Sequence, residues 1–262
     1  CTPDENFTNT ASPNPQNPES FDMAKEQGEA NGSELLFATD PDADRFGLVV
    51  KHRGEWVHMS GNELPVIQMH WKLNKLKEMG YLKEGMHTIR SVVSSSFGDK
   101  VSESFGIPMY KTLTGFKWIV DRSMQEEAKG HETLFAYEEA FGSVVRMFSH
   151  DKDSFQAFVQ VIEMAFELKE QGRTIVDYLE DLYKEFGRYD MFQTQKRFEG
   201  MKAQQDMFDY IDTFRKYNVG DKFGEFIITK IEDFQSGVER FGKDNFIFIH
   251  LDDKHWFCVR PS

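Results

Sequence analysis

The chain has 262 residues, 39% of them hydrophobic and 29% charged, which is enough for two or three domains with a sizeable buried core. A net charge of −13 excludes the basic face of a nucleic-acid binder and works against docking on anionic lipid. No run of 18 apolar residues is present, so no membrane span is expected, and two cysteines, Cys1 and Cys258, make no disulfide framework and point to a reducing, cytoplasmic compartment.

Residues 1–20 are polar and turn-rich and read as a loop. A helix is expected over 20–30, with apolar strands at 35–38 and 46–50 and a third at 56–59 after an Arg53-Gly54 turn. Ser60 is the expected N-cap of a helix over 61–79. Strands at 87–93, 108–113 and 133–137 then alternate with helices near 97–105 and 115–128, a spacing that implies βαβ units and a mostly parallel sheet. Helices over 153–170 and 174–186 follow. In the first, Phe155, Phe158, Val159, Ile162 and Phe166 fall on one face and read as core. From about 190 the character changes: a strand at 189–195, a helix at 200–217, then strands at 225–232, 245–250 and 255–260. The fold class is α/β, with mixed βαβ domains of predominantly parallel strands followed by a partial α+β domain. The chain opens on Cys1 rather than Met and stops at Arg260-Pro261-Ser262 directly after an apolar run, so a fragment is expected.

The strongest chemical signal is Asp40-Pro41-Asp42-Ala43-Asp44-Arg45, between two apolar strands. It follows the carboxyl end of the first strand, where open α/β sheets place ligands. Three carboxylates at alternate positions of an extended loop can point to one side. They repel one another unless a cation intervenes. Hard oxygen donors favour Mg²⁺ or Ca²⁺, and three of them leave room for water or a phosphate oxygen, which suits Mg²⁺. Arg45 offers a bidentate fork to a phosphate beside the ion. An EF-hand loop is excluded because Arg45 and Lys51 stand where Gly and an acidic residue are required. A haloacid-dehalogenase-type phosphatase, with Asp40 as nucleophile, remains an alternative. A solvated acidic turn is the non-functional one. The eight histidines show no metal-ligand spacing, and His52, His58 and His255 read as surface or hairpin positions. The serines at 94–96 read as helix capping, and Gly237 to Lys243 as a turn.

The acidic loop resembles the metal-binding loop of the α-D-phosphohexomutases, the phosphoglucomutase/phosphomannomutase superfamily, whose usual form is D-G-D-G-D-R or D-P-D-A-D-R. Other segments resemble that family in order. Pro13-Asn14-Pro15 looks like its P-N-P-E segment and Thr114-Gly115-Phe116-Lys117 like its T-G-x-K turn. Glu138-Glu139-Ala140-Phe141-Gly142 is similar to its sugar-binding loop, and Asp151-Lys152-Asp153 to the K-D after it. Arg260-Pro261-Ser262 resembles the opening of its phosphate-binding loop.

The resemblance implies most of a second domain over 1–60, a third over 61–190 and a partial fourth over 191–262. It implies Mg²⁺ on Asp40, Asp42 and Asp44, with Arg45 steadying the transferred phosphoryl group. Thr114, Gly115, Glu138, Lys152, Arg260 and Ser262 would bind a phosphorylated glucose, mannose or pentose. The implied reaction moves a phosphoryl group between sugar positions through a bisphosphate and an enzyme phosphoserine. That serine is not found here: Ser149-His150 lacks the family's preceding Thr context. A non-catalytic phosphosugar-binding fragment is therefore also open. Ala140 departs from the Ser of many relatives, and Phe116 from the His of some, so the preferred sugar stays undecided.

Overall fold

The computed structural model describes residues 4–238, 241–252 and 254–261. They form two compact units, Cys1–Met191 and Phe192–Ser262. The first unit begins with a 3₁₀ turn (Pro18–Phe21) and α1 (Asp22–Asn31). A three-stranded antiparallel sheet follows, of β1 (Leu35–Thr39), β2 (Phe46–His52) and β3 (Glu55–His58) in that order. β2 is buried along almost its whole length, as a strand covered on both faces must be, and its side chains alternate between two clusters. Val49 joins Phe21 and Leu36 under α1, whereas Phe46, Leu48 and Val50 enter the main core.

The chain then runs through α2 (Glu63–Glu78), β4 (Met86–Ser91), α3 (Phe97–Ser104), β5 (Met109–Thr112), α4 (Phe116–Glu127), β6 (Glu132–Tyr137) and β7 (Ser143–Val144). The sheet order is β5-β4-β6-β7. β4 pairs in parallel with β5 and β6, as the alternation of strand and helix implies, and β7 closes the edge antiparallel. Parallel pairing is confined to this sheet; the others among the described residues are antiparallel. On β6, Phe135 and Tyr137 face the main core with α2 and α3, while Ala136 faces Phe116 and Ile119 of α4. Two helices, α5 (Ser154–Glu170) and α6 (Ile175–Phe186), complete the unit. Both start on well-formed caps: Asp153 accepts from the Phe155 and Gln156 amides, and Thr174 and Asp177 cap each other reciprocally. One core runs from Phe46 through Leu64, Phe97 and Phe135 to Val161 and Leu182.

The second unit has α7 (Ala203–Phe214), a small hairpin of β8 (Lys222–Phe223) and β9 (Phe226–Ile227), and an antiparallel sheet of β10 (Lys230–Asp233), β11 (Ile247–His250) and β12 (Trp256–Val259). Ile211, Ile228, Ile247 and Ile249 are its core. Arg215 ties α7 to the sheet through Asp233 and Asn245. In the segment expected to turn, Gly237 has a φ of +87° and Val238 bridges to Phe241, while residues 239 and 240 lie outside the described residues.

Four expectations need correction. Most of the stripe on α5 lies outside the core: Phe155, Val159 and Phe166 are 70%, 55% and 68% exposed, Ile162 is half-buried and Phe158 reaches the Phe37 and Phe46 rings, whereas Ser154, Ala157, Val161, Met164 and Leu168 are buried. Both faces of this helix are apolar, so periodicity alone could not choose between them. Close approach to α2 selects the slimmer face, where Gln68 donates to the Ala157 carbonyl and to Gln160. No strand forms at 189–195; that stretch pairs with nothing regular. Helix α2 starts at Glu63 with Asn62 in the cap position, yet Ser60 still exchanges two hydrogen bonds with Glu63. His52 is buried with Nδ1 at 2.8 Å from Thr174 Oγ1, and half-buried His58 meets the Pro15 carbonyl at 3.0 Å.

Buried titratable groups give a pH signature. His70 sits between α2 and α6 with Nδ1 at 2.6 Å from the Tyr178 hydroxyl, and burial pushes its pKa down from 6.5 to about 4. Between those values the unfolded chain binds a proton that the folded chain refuses, so stability falls as pH drops through this window. His70→Gln keeps an acceptor for Tyr178 and removes the titration. Urea unfolding should show it losing about 1–2 kcal/mol less stability than the unsubstituted chain between about pH 7 and pH 5.

Candidate functional site

The acidic loop leaves β1 at Thr39 and enters β2 at Phe46. Its shape is set by Asp40, whose Oδ1 accepts from the Asp44 and Arg45 amides at 3.2 and 3.0 Å. Ala43 takes a left-handed φ of +57°, which turns the chain so that Asp42 and Asp44 converge with Asp40. One oxygen from each of the three carboxylates lies within 4.8 Å of the others. Burial and the charges of Asp44 and Asp42 raise the Asp40 pKa, against the hydrogen bond from the Arg45 amide.

The loop is fixed from the other side by the segment after β6. Arg45 bridges to Gly142, the Phe46 amide donates to the Phe141 carbonyl at 3.0 Å, and Ser154 Oγ donates to the Ala43 carbonyl at 2.6 Å. Lys152 Nζ lies 2.7 Å from Asp44 Oδ2 and 5.4 Å from the centre of the Phe116 ring. The Arg45 Nε lies 3.4 Å from Asp40 Oδ2. Glu138 directly follows β6, and its amide donates to the Gly142 carbonyl at 2.9 Å, closing a tight loop. Its side chain is only 9% exposed, and burial pushes its pKa up to about 7, offset in part by Lys152 and Arg45. Burial opposes the charge of Lys152, but its bond to Asp44 and the charge of Glu138 outweigh that and raise its pKa.

Asp40, Asp42, Asp44, Arg45, Glu138 and Lys152 are thus brought together, as the motifs anticipate. Thr114 and Gly115 form the half-buried bend just before Phe116, whose ring lies beneath the Lys152 ammonium. Arg260 follows β12 in the second unit, and Ser262 lies outside the described residues. The role of Gly142 was missed. A Cβ there would stand 2.1 Å from Lys152 Cδ and 2.9 Å from Glu138 Oε1, so only glycine lets the lysine cross to Asp44. The signal was present in the last residue of the E-E-A-F-G segment.

Two models of one family match the chain: Phosphoglucomutase/phosphomannomutase, alpha/beta/alpha domain II over residues 1–54 and domain III over 61–186. The chain belongs to the phosphoglucomutase/phosphomannomutase family. A phosphoglucomutase of Staphylococcus haemolyticus is 30% identical over 248 residues, which is 94% of this chain and 44% of the relative. A Schizosaccharomyces pombe relative named "probable phosphoribomutase" is 29% identical over 247 residues, 93% of this chain and 42% of its own. The chain therefore spans less than half the length of these relatives. Among solved structures, the exocytosis-sensitive phosphoprotein parafusin (phosphoglucomutase) of Paramecium, in its open form, superposes with a TM-score of 0.61 at 19% identity, covering 98% of this chain and 44% of that one, and supports the fold alone. Membership of this mutase family displaces the Asp-nucleophile phosphatase alternative.

Adding a methyl group at Gly142 should lift Lys152 off Asp44. Gly142→Ala is expected to cost about 1–3 kcal/mol in urea unfolding. Peptide mass spectrometry should also show Lys152 acylated faster by an amine reagent.

Proposed function

We propose that the chain is the metal- and sugar-binding portion of a phosphosugar mutase, an intramolecular phosphotransferase that interconverts hexose 1- and 6-phosphates. The observation that carries this is the convergence of Asp40, Asp42 and Asp44 with Arg45, Glu138 and Lys152 from two separate chain segments. The whole protein's reaction runs through a bisphosphate and a phosphoserine that these 262 residues do not supply. The chain alone binds its ligands without turnover. Its organisation is three domains, 1–60, 61–190 and 191–262, in a cytoplasmic protein; no described helix is long and apolar enough to cross a membrane.

The acidic residues fit a hard divalent cation. They offer carboxylate oxygens only, and Asp44 Oδ1 is buried without a hydrogen-bond partner. Asp40, Asp42 and Asp44 would hold Mg²⁺, which supplies charge neutralisation at a phosphoryl group. Arg45, paired with Asp40 and braced by Gly142, orients the same group with its planar fork. Glu138 accepts hydrogen bonds from sugar hydroxyls. Held in a dry loop, it penalises a sugar that leaves it unpaired. Lys152 exchanges Asp44 for a substrate phosphate, with the Thr114-Gly115 turn shaping the wall beside it. Arg260 and Ser262 grip the phosphate that does not react. The names of the two curated relatives keep both glucose and pentose phosphates as substrates, and mannose phosphate stands with them through the family.

Millimolar Mg²⁺ should raise the melting temperature of the chain, because a ligand of the folded state stabilises it. Asp42→Ala, at an exposed position, should abolish the shift without lowering the metal-free melting point, since it also relieves repulsion on Asp40. A chain that melts identically with and without Mg²⁺ contradicts the metal assignment. Calorimetry should detect glucose 1-phosphate binding that Glu138→Ala removes, and a coupled assay should find no turnover. Turnover by the isolated chain contradicts the placement of the phosphoserine elsewhere.

A further inference from the structure

Adjacent glutamates, Glu138 and Glu139, follow β6, and they point to different neighbours. Glu138 lies toward Gly142 and Lys152. Glu139 turns the other way, to the end of β4, where its Oε2 accepts from Ser91 Oγ at 2.7 Å and Ser94 Oγ at 3.4 Å. The two hydroxyls are themselves 2.8 Å apart and buried. The Glu139 carbonyl also packs against Gly61, where a Cβ would approach it to 2.0 Å. The second glutamate is thus held by side chain and backbone at once.

The serines have a rigid footing. Arg90, 3% exposed, sends Nη1 to the carbonyls of Ser91, Val92 and Ser94 at 2.9, 3.3 and 2.8 Å. Its Nε and Nη2 grip both oxygens of Asp99 on α3 at 2.5 and 2.9 Å, and Lys111 of β5 braces the same carboxylate at 2.9 Å. A buried guanidinium is tolerated only when its donors are satisfied and its charge is paired. The 91–94 turn therefore cannot relax without exposing that charge to unmet donors.

We infer that Glu139 is a positioning residue: anchored to Ser91 and Ser94 over the Arg90–Asp99 pair, it fixes the 138–142 loop and so aims Glu138 at the sugar. The role assigned to Glu138 rests on the function proposed above; the anchoring does not. It also accounts for two consecutive acids at a strand end, where like charges repel. One serves the loop and the other serves the cleft. Glu139 touches no substrate in this arrangement, so its effect on binding passes entirely through its neighbour.

The test pairs amide hydrogen exchange with calorimetric titration of glucose 1-phosphate, on the full 262-residue chain. Glu139→Ala and the double substitution Ser91→Ala/Ser94→Ala should each speed exchange at 138–142 about tenfold, with β1 and α6 unchanged. Both should weaken glucose 1-phosphate by about tenfold. Glu139→Gln retains an acceptor for the serines and should behave as the unsubstituted chain in both measurements. Unchanged exchange in the serine double variant, or an unchanged sugar affinity beside faster exchange, overturns the inference, as does a Gln variant as impaired as the Ala one. If the exchange pattern appears but the unsubstituted chain binds no sugar phosphate, the anchor stands and the proposed function falls.

Discussion

Three carboxylates drawn within 4.8 Å of one another are the constraint on which the first unit depends. Such a cluster is repulsive and does not assemble by itself. It is held by directional bonds that spend little of its charge: backbone amides on one oxygen of Asp40, an ammonium on one oxygen of Asp44. The second anchor comes from a segment more than a hundred residues away. The antiparallel sheet carrying the loop and the parallel sheet carrying Glu138 must therefore stay fixed to each other. The shared core does this, with Phe46, Leu48 and Val50 of one sheet and Phe135 and Tyr137 of the other in a single cluster. Its many apolar contacts oppose the local repulsion.

Much of this was legible from residue types. Asp40, Asp42, Asp44 and Arg45 announce themselves by spacing, and strand–helix alternation between 87 and 137 gives the parallel sheet because the two periods differ. Glu138 and Lys152 were found through motif order, not through their local chemistry. What escaped depends on three-dimensional contact. Gly142 carries no functional group, and its importance lies in what crosses above it. The α5 error has the same origin: Phe155 and Phe166 satisfy the helical period as well as Val161 and Leu168 do, and only the width of the gap to α2 decides. The expected strand at 189–195 failed because alternation without a neighbouring strand earns no ladder.

One buried cation and one half-buried one show how polar groups are used away from the cluster. Arg90 and Lys72 both donate to backbone carbonyls, Lys72 to Leu134 at 2.6 Å and Val145 at 2.5 Å. Burial pulls the Lys72 pKa down to about 8, whereas the Asp99 carboxylate keeps Arg90 charged. Each cation organises carbonyls at the edge of a strand that regular pairing leaves open. The parallel sheet is thus finished at its ends by side chains, and the functional loops begin where those side chains stop.

Ala43 has a consequence of its own. A left-handed alanine costs about 1–2 kcal/mol relative to the right-handed form. Replacing glycine with alanine returns about 0.4–1 kcal/mol by narrowing the unfolded ensemble only where the native φ suits alanine, and a φ of +57° does not. The left-handed cost therefore stands at Ala43, and the surrounding bonds hold the bend against it: the Ser154 hydroxyl on the Ala43 carbonyl and the Asp40 carboxylate on the Asp44 and Arg45 amides. The left-handed turn at position 43 is thus imposed by its neighbours rather than preferred by the residue, so the strain sits where three carboxylates need to converge.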